Sequence, residues 1–389
     1  METALYKIKG KVRHYEWGGY SFIPSFLGDA ELQEKPSAEY WLGVHPNDPA
    51  EVVSVAGEMT TLNELQEQLG DTPLPFLMKL LDVRMMLSIQ VHPSKALAIA
   101  GFAREQEAGI AATAPNRTYK DDNHKPELMV ALSDFWMLHG LRSEPELRAD
   151  FQRRPSCALL LDILENEGMT GLVTAAVSKN DPAIKSITSK LIEAARASSE
   201  VENKSSHDFW IRRWTQENPS VDRGILMILL MNLVNLRTGE AIYQPDGLIH
   251  AYLEGRNIEI MANSDNVLRA GLTNKHIDAP ELLRISRLDA TNPDDFKINA
   301  IRNDLGIRSF DTPFEDFHLQ DLEVSPQGAS SFESKRSQIL LFNSGDSIEV
   351  SDGATQFELV PGEACYARKG SQLEIVNSSY RTAQLFIGS

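Results

Sequence analysis

Three short segments of the chain hold most of the side chains whose types and spacing could support metal binding or proton transfer. They are Leu87-Ser-Ile-Gln-Val-His-Pro93, Tyr119-Lys-Asp-Asp-Asn-His-Lys-Pro-Glu-Leu-Met-Val130 and the stretch from His250 to Lys275. Imidazole, carboxylate and amide groups bind divalent metals, and imidazoles and carboxylates also act as general acids and bases. Such chemistry requires that separate elements bring these groups together.

The first segment is predicted to be a short strand with three polar side chains on one face. Ser88, Gln90 and His92 alternate with apolar residues, which is the period of an extended chain. A Gln-x-His pair on one strand, with backbones about 7 Å apart, could direct an amide oxygen and an imidazole at one ion. A solvated edge strand has a similar pattern, but Pro93 and the helix-like run from Ser94 onward are expected to cover this edge.

The second segment is predicted to be a polar loop that leads into a buried strand. His124, Lys125 and Glu127 crowd this loop, and the apolar run from Leu128 to Leu132 follows it. Taken alone, the pattern is explained almost equally well by an ordinary polar turn and by a functional site.

The third segment begins at His250 and continues as a strand of alternating character. Ile258 and Ile260 are predicted on one face, and Glu259 and Met261 on the other. A carboxylate among apolar neighbours is costly to bury without a partner. Glu259 is therefore expected to have a partner inside the protein.

A polar turn and a second apolar stretch follow this strand. The turn is Asn263-Ser-Asp-Asn266, and the next stretch delivers Arg269 before Gly271 bends the chain again. The two parts are predicted to form a hairpin-like unit, with Arg269 as a candidate partner of Glu259.

The remaining sequence must supply the elements that position these groups. Short apolar segments separated by Gly, Pro and Asp predict antiparallel strands up to about residue 60 and from about residue 310 to 389. From Ser143 to Leu236 the apolar period becomes helical, with a capping box at Ser143 and a helix start at Asp181-Pro182. The run Ile225–Leu236 is predicted to be a buried helix.

Two further residues are given ordinary structural roles. His45 is predicted to be a loop histidine, and Trp41 is predicted to be a core or pocket-wall residue.

Composition excludes several classes of function. The net charge of −17 argues against nucleic acid and anionic membranes as partners, and no apolar run is long enough to cross a bilayer. The two cysteines support neither a disulfide framework nor a cysteine metal site, so a reducing cytoplasm is expected. Phosphate-binding loops of the G-x-x-x-x-G-K-[ST] and G-x-G-x-x-G types are absent.

Together the three segments resemble the signature of the type I mannose-6-phosphate isomerases. That family has Gln-Val-His-Pro, Asn-His-Lys-Pro-Glu, His-Ala-Tyr, Glu-x-Met-Ala-x-Ser-Asp-Asn and Arg-Ala-Gly-x-Thr-Pro-Lys in this order. The sequence matches each motif, except that Asn274 replaces the last proline. This replacement affects a turn and no chemical group.

The resemblance implies a fold and a division of the chain. The fold is mainly β, with a cupin-like jelly-roll catalytic barrel, an α-helical insertion domain and a second, C-terminal cupin-like β-barrel. Residues 1–140 and 237–306 would form the catalytic domain, residues 141–236 the helical insertion, and residues 307–389 the C-terminal β domain. No histidine follows His318, so the last domain is not expected to hold a histidine-bound metal.

The resemblance also implies an activity, the interconversion of D-mannose 6-phosphate and D-fructose 6-phosphate by proton transfer between C1 and C2 through a cis-enediol. In the family, one zinc ion per chain is bound at four positions, which here are Gln90, His92, Glu127 and His250. The same donor set also suits Fe²⁺, Mn²⁺ or Co²⁺.

Further residues are expected in or beside the substrate site on the same grounds. The catalytic candidates are Arg269, Glu259, Lys125, His124 and Asp265. The substrate-binding candidates are Ser88, Lys79, Lys125 and Arg269. As the base for proton transfer, Glu259 is preferred, then Asp265, then His124.

Two other functions are compatible with the sequence alone. One is a non-catalytic sugar-phosphate-binding cupin, and the other is a cupin-type metal dioxygenase, although Gln90 stands where dioxygenases carry the first histidine of a pair.

The expected partner is a small sugar phosphate, with no nucleic acid and no membrane. A cytoplasmic monomer in mannose metabolism and GDP-mannose biosynthesis is expected.

Overall fold

Many short strands and one helical region make up the chain. The computed structural model describes residues 3–53, 59–177, 181–199, 202–218 and 224–389. The strands before the helical region are β1 (Leu5–Lys9), β2 (Lys11–Arg13), β3 (Glu39–Gly43), β4 (Glu51–Val53), β5 (Met59–Thr61), β6 (Phe76–Val83), β7 (Ile89–Val91), β8 (Glu127–Ala131) and β9 (Phe135–Leu141). The next five are β10 (Met231–Leu236), β11 (Ala241–Gln244), β12 (His250–Ala262), β13 (Leu268–Gly271) and β14 (Lys297–Ile298). The last nine are β15 (Ile307–Phe310), β16 (Leu319–Val324), β17 (Gly328–Glu333), β18 (Gln338–Ser344), β19 (Ile348–Ser351), β20 (Gln356–Leu359), β21 (Ala364–Ala367), β22 (Gln372–Asn377) and β23 (Ala383–Gly388).

The helices are concentrated between β9 and β10. They are α1 (Phe22–Phe26), α2 (Leu62–Leu69), α3 (Lys95–Glu107), α4 (Glu144–Arg153), α5 (Ala158–Val177), α6 (Pro182–Ala197), α7 (His207–Glu217), α8 (Gly224–Leu230) and α9 (Ala279–Ile285). Short 3₁₀ turns lie at Ala30–Glu34, Pro155–Cys157 and Pro293–Phe296. The mainly β architecture with a helical insertion is the predicted one. Among the described residues, no helix has the length and apolar character that crossing a bilayer requires.

Local signals set the starts of the insertion helices. Ser143 and Glu146 form the predicted capping box of α4, and Asp181 accepts hydrogen bonds from the first backbone N–H groups of α6. The prediction of one helix over Ile225–Leu236 is wrong beyond Leu230, where β10 begins and pairs with β9. An uninterrupted apolar run does not by itself distinguish a buried helix from a buried strand, and here tertiary pairing decides.

The thirteen-residue strand β12 is central to the eleven-stranded sheet of the first barrel. Its second half pairs with β6 and β8, and its first half pairs with β7 and β9. The strand changes partners around Gly255, whose φ is +130° and where a Cβ atom would lie 2.6 Å from the Phe135 ring. The hairpin prediction is wrong, because β13 pairs with β7 and not with β12. The alternation is confirmed, since Ile258 and Ile260 pack in the core behind the sheet.

A second sheet joins distant parts of the chain. Its strand order is β15-β16-β23-β18-β21-β1-β4-β5, so β1 lies between β21 and β4. A four-stranded sheet, β17-β22-β19-β20, completes the C-terminal barrel. Backbone hydrogen bonds therefore cross the boundary expected at residue 307, and β1, β4 and β5 belong to the same sheet as the last strand, β23.

Candidate active site

The inner face of the barrel carries charged side chains in register across neighbouring strands. Lys79 on β6 lies opposite Trp41 on β3 and opposite Glu259 on β12. Residues directly opposite each other in antiparallel strands have adjacent side chains. The sheet therefore places Glu259 beside Lys79.

The carboxylate of Glu259 is buried and has two partners. Lys79 Nζ lies 3.2 Å from Oε1, and the Tyr252 hydroxyl donates to Oε2 at 2.7 Å. Burial and then the nearby Glu127 raise the pKa of Glu259, although Lys79 and Lys125 oppose the shift. The sequence suggests Arg269 as the partner, but Lys79 has this role because the β6–β12 register brings it opposite Glu259.

Lys79 stays protonated despite its burial. Burial alone would lower its pKa, but Glu39, Glu259 and Glu127 together raise it. Glu39 also accepts a hydrogen bond from the indole of Trp41. Lys79 therefore lies between the carboxylates of Glu39, Glu259 and Glu127, and these four residues form the floor of the barrel interior.

His92, Glu127 and His250 form a compact candidate metal centre. One ligand atom from each lies within 4.8 Å of the others. Glu127 Oε1 is 3.4 Å from His92 Nε2, and Glu127 Oε2 is 3.3 Å from His250 Nε2. All three residues are at most 3% exposed.

Both histidines are oriented by backbone carbonyl groups. His92 Nδ1 donates to the carbonyl oxygen of Asn266 at 2.7 Å, and His250 Nδ1 donates to that of Leu248 at 3.0 Å. These hydrogen bonds leave each Nε2 lone pair directed toward Glu127, as in metal sites whose second nitrogen is held by the protein. His92 Nε2 is buried and makes no hydrogen bond to the described residues.

Gln90 is the fourth candidate ligand, and strand register brings it to this centre. It lies opposite His250 on one side and opposite Arg269 on the other. Gln90, Glu127 and His250 line one small cavity of about 90 Å³.

Charges around Glu127 keep it ionised. Burial opposes ionisation, but the nearby Lys125 holds the pKa of Glu127 well below the usual range. Lys125 Nζ lies 2.6 Å from Glu127 Oε1. Burial, and then Lys125, lowers the pKa of His92 to about 4, so its imidazole is neutral near pH 7. A carboxylate and a neutral imidazole are the forms that bind a metal.

A cleft of about 590 Å³ opens above this floor. Predicted residues that line it include Ser88, Gln90, Lys125, Asp265 and Arg269, together with Lys79 at the bottom. Asp265 accepts a hydrogen bond from Asn47 Nδ2 at 2.8 Å and lies 3.5 Å from His45 Nε2.

Two cations at the cleft have no anionic partner among the residues that the structure describes. They are Arg269 and Lys275, and both line the cleft. Burial lowers the pKa of Arg269, while burial and the nearby Arg269 and Lys120 lower that of Lys275. Since no described protein anion neutralises them, they are available to an anionic ligand.

His124 lies apart from the cleft residues. Its Nε2 is 3.0 Å from both carboxylate oxygens of Asp316, and its Nδ1 is 3.6 Å from Asp246 Oδ2. The hydrogen bonds to Asp246 and Asp316 raise its pKa to about 9. The imidazole is therefore protonated near neutral pH and connects three segments of the chain.

Three residues that contribute to the site, His45, Tyr252 and Asn266, were not predicted as site residues. His45 is 3% exposed and packs edge-on against Trp41, so it is a wall residue and not an ordinary loop histidine. Tyr252 lies two residues after His250 on the same strand face, and the strand period could have revealed it. Asn266 has no comparable signal, because its role depends on long-range hydrogen bonds.

The jelly-roll barrel, its buried histidine–carboxylate centre and the cationic cleft define a metal-dependent enzyme of the cupin fold. A family model described as phosphomannose isomerase type I, catalytic domain, matches residues 5–144. The mannose-6-phosphate isomerase of Escherichia coli K12 is 32% identical over 98% of this chain and 99% of its own. That of Rattus norvegicus is 32% identical over 80% of both chains.

Solved structures agree with the sequence comparison. The mannose 6-phosphate isomerase of Salmonella typhimurium, bound to its substrate fructose 6-phosphate and to zinc, covers 99% of both chains with a TM-score of 0.88 and 28% identity. A zinc-bound mannose 6-phosphate isomerase covers the same shares with a TM-score of 0.87. The chain belongs to the mannose-6-phosphate isomerase family.

Proposed function

We propose that the protein interconverts D-mannose 6-phosphate and D-fructose 6-phosphate with one zinc ion bound per chain. The observation that carries this proposal is the buried His92–Glu127–His250 centre next to the Glu259–Tyr252 pair. A metal centre and a buried carboxylate on one barrel floor are suited to proton transfer next to a carbonyl group. This function is assigned in place of the two alternatives, a cupin-type metal dioxygenase and a non-catalytic sugar-phosphate-binding cupin.

The residues present fit a zinc ion. Two imidazoles, one carboxylate and the amide of Gln90 are donors that zinc accepts, and the imidazole Nε2 atoms already face Glu127. When bound, zinc would polarise the oxygens of the sugar and stabilise negative charge on them. The cleft of about 590 Å³, which shares Gln90 and Lys125 with the small cavity beside the ligands, gives the sugar room to approach.

Arg269 and Lys275 are the proposed phosphate-binding pair. Both line the cleft, and neither has an anionic partner among the described residues. An arginine binds a phosphate through two hydrogen bonds, and a lysine adds a point charge. Local cations are needed because the net charge of −17 repels an anionic substrate.

Glu259 is the proposed base for transfer of the proton between C1 and C2. Burial raises its pKa toward the range in which a carboxylate can both accept and return a proton. Tyr252 and Lys79 hold its two oxygens in place. Asp265 is the second choice, because it lines the cleft but is more exposed.

Lys125 and Ser88 complete the proposed substrate contacts. Both line the cleft, and Lys125 is anchored to Glu127 at 2.6 Å. The Lys125 side chain can donate a hydrogen bond to a sugar oxygen as negative charge develops. His124 is proposed to position the loop and not to take part in proton transfer, since its nitrogens are engaged by Asp246 and Asp316.

We also propose that the protein is a cytoplasmic monomer that acts in mannose metabolism and GDP-mannose biosynthesis. Two free, buried cysteines are in keeping with a reducing compartment.

The proposed domains are residues 1–140 together with 237–306, residues 141–236, and residues 307–389. Strands β1, β4 and β5 of the first domain join the sheet of the last domain.

The test is formation of fructose 6-phosphate from mannose 6-phosphate by purified protein as isolated, after chelation, and after zinc is restored. We expect activity to disappear on chelation and to return with one equivalent of zinc. A folded, zinc-loaded protein that turns over neither sugar phosphate would contradict the proposal.

A further inference from the structure

A group of buried polar side chains lies directly beneath the candidate metal centre. Gln244 and His139 are both 0% exposed, and neither belongs to the ligand set or lines the cleft. Buried polar atoms in folded proteins nearly always have a hydrogen-bond partner. Their position next to two ligands points to a role at the metal centre.

Gln244 is the immediate cross-strand neighbour of Glu127. The two residues are paired in the β11–β8 ladder, and the preceding inward pair is Ile242 with Met129. Opposite residues have Cβ atoms about 4.5–5.5 Å apart and face the same side. The Gln244 amide therefore lies close enough to the Glu127 carboxylate for one water molecule to connect them.

Both polar atoms of this amide are free of partners among the described residues. Gln244 Oε1 and Nε2 are buried and make no hydrogen bond to the described protein. An amide that is buried without any partner destabilises the fold. Such a group persists where it serves a ligand, an ion or an ordered water.

His139 provides a second polar group on the same floor. It lies opposite His250 in the β12–β9 ladder. Its Nε2–H donates at 3.2 Å to the carbonyl oxygen of Tyr243, which is the residue before Gln244. That hydrogen bond leaves Nδ1 as an acceptor, and Nδ1 is buried without a partner among the described residues.

The donors and acceptors of the two residues are complementary. The Gln244 amide has two N–H donors and one acceptor, and His139 Nδ1 needs a donor. An ordered water that connects them leaves the second N–H of Gln244 free to donate toward the Glu127 carboxylate. A buried water with such polar partners is common inside proteins.

We propose that Gln244 and His139 are positioning residues that orient the Glu127 carboxylate from below and so set the affinity of the metal centre. This inference rests on the proposed zinc site. Groups of this kind, which contact a ligand and not the metal, typically contribute about 10–100-fold to metal affinity.

The test compares Gln244→Met, which keeps length and removes both polar atoms, with wild type. We expect zinc affinity, measured by competition with a chromophoric chelator, to fall about 10–100-fold. The stability of the metal-free protein in urea should stay the same or rise, because an unsatisfied amide has been removed. The absorption bands of the Co²⁺-loaded protein should shift as the carboxylate changes orientation.

Asn257 supplies a matched control. It is also 0% exposed, and both atoms of its amide are unpartnered among the described residues. It faces the same barrel interior but lies opposite Leu81 and Ala131, two rows away from Glu127. Asn257→Leu should therefore change stability and leave zinc affinity within about twofold of wild type.

A double-variant cycle separates a shared network from two independent effects. If Gln244 and His139 act together, His139→Phe and Gln244→Met combined should weaken zinc binding little more than either alone. Should Gln244→Met fail to fold, Gln244→Asn, which keeps the amide but shortens its reach, is expected to lower zinc affinity in the same direction. Wild-type zinc affinity in a folded Gln244 variant overturns the inference, whereas absence of zinc binding by the wild-type protein overturns the proposed function instead.

Discussion

Five charged side chains with at most 9% exposure determine the electrostatics of the barrel interior. Three are carboxylates, Glu39, Glu127 and Glu259, and two are lysines, Lys79 and Lys125. Buried charges are tolerated when they are paired and hydrogen-bonded. Because the three carboxylates outnumber the two lysines, the negative charge of the barrel interior favours binding of a further cation. The proposed zinc ion supplies this positive charge.

Replacing Glu259 with Gln should abolish most of the activity. The substitution keeps the shape and the hydrogen-bonding reach toward Lys79 and Tyr252 but removes the base, so kcat should fall by about 10²–10⁴-fold. Steady-state kinetics, with zinc content measured on the same sample, test this. Asp265→Asn is the comparison, and a larger loss there than in Glu259→Gln would reverse the assignment of the base.

The ion pairs of His124 predict a pH-dependent contribution to stability. The pKa of His124 is raised from 6.5 in the unfolded chain to about 9 in the folded protein. The stabilisation is therefore fully present below pH 6.5 and is lost as the pH rises through about 9. His124→Asn should lower Tm at about pH 6 and have little effect at about pH 10.

Asp316→Asn provides the control for this prediction. Asp316 accepts from His124 at 3.0 Å, so its removal should weaken the same pH dependence. Equal Tm differences at both pH values in His124→Asn would show that the imidazole acts by packing alone.

The site could be predicted from the sequence where contacts follow the period of one strand. Gln90 and His92, or Glu259 and Met261, share a face for this reason. The pairing of Glu259 with Lys79 depends on the register between β6 and β12, which no local pattern specifies. Without knowledge of this register, the sequence predicts Arg269 as the partner of Glu259, and that prediction is wrong.

At the level of elements, β12 allows one barrel to hold both the candidate metal centre and the proposed proton-transfer group. His250 comes from its first half and Glu259 from its second, and the two halves pair with different strands.

The turn after β12 also positions the candidate metal centre. Asn266 is 0% exposed, and its side chain bonds the backbone of Lys120, Asp121 and Asn123 while its carbonyl orients His92.

A side chain at residue 255 should disrupt this change of partners. Gly255→Ala would place Cβ 2.6 Å from Phe135 Cδ2 and 2.7 Å from the Asp134 carbonyl oxygen at a φ of +130°. We expect a loss of about 2–4 kcal/mol in unfolding free energy. Urea denaturation measures it.

Gly353→Ala is the matched control for Gly255. Gly353 also has a positive φ, +80°, but a Cβ there meets nothing within 4 Å. Only the backbone conformation is then strained, at a cost of about 1 kcal/mol. Similar losses at both positions would mean that contact with Phe135 is unimportant.

Helix starts can be predicted more reliably than the end of the insertion. A capping residue such as Ser143 or Asp181 acts within its own first turn, so its signal is local. The transition from α8 to β10 lies inside one apolar run and is decided by pairing with β9. Sequence patterns therefore identify the region as helical but not where its last helix ends.

At the scale of the molecule, the catalytic barrel and the C-terminal sheet share one hydrophobic core. Ile258 and Ile260 of β12 pack in the same cluster as Ile339, Tyr366 and Phe386. Asp71 and Arg368 add a two-point ion pair across this boundary, at 2.8–3.1 Å. Domain boundaries inferred from the order of the elements do not reveal such sharing.

Removal of the residues after position 306 should therefore leave no stable catalytic barrel. The truncated chain would expose the apolar face behind β12 and leave β1 without β21. We expect aggregation or loss of the near-ultraviolet circular dichroism signal, with no activity. A monodisperse, active truncated chain would instead show that the catalytic part folds independently.

The pairing of β1 with β21 has a consequence for the time course of folding. Leu5 pairs with Ala367, so at about 5–20 residues per second β21 is synthesised about 20–70 s after β1. During that delay β1 presents an open edge that could recruit other chains. Its alternate residues include Lys7 and Lys9, and charged lysines on an exposed edge oppose intermolecular pairing. Lys7 and Lys9 are therefore expected to oppose association of nascent chains through β1 until β21 is available to pair with it.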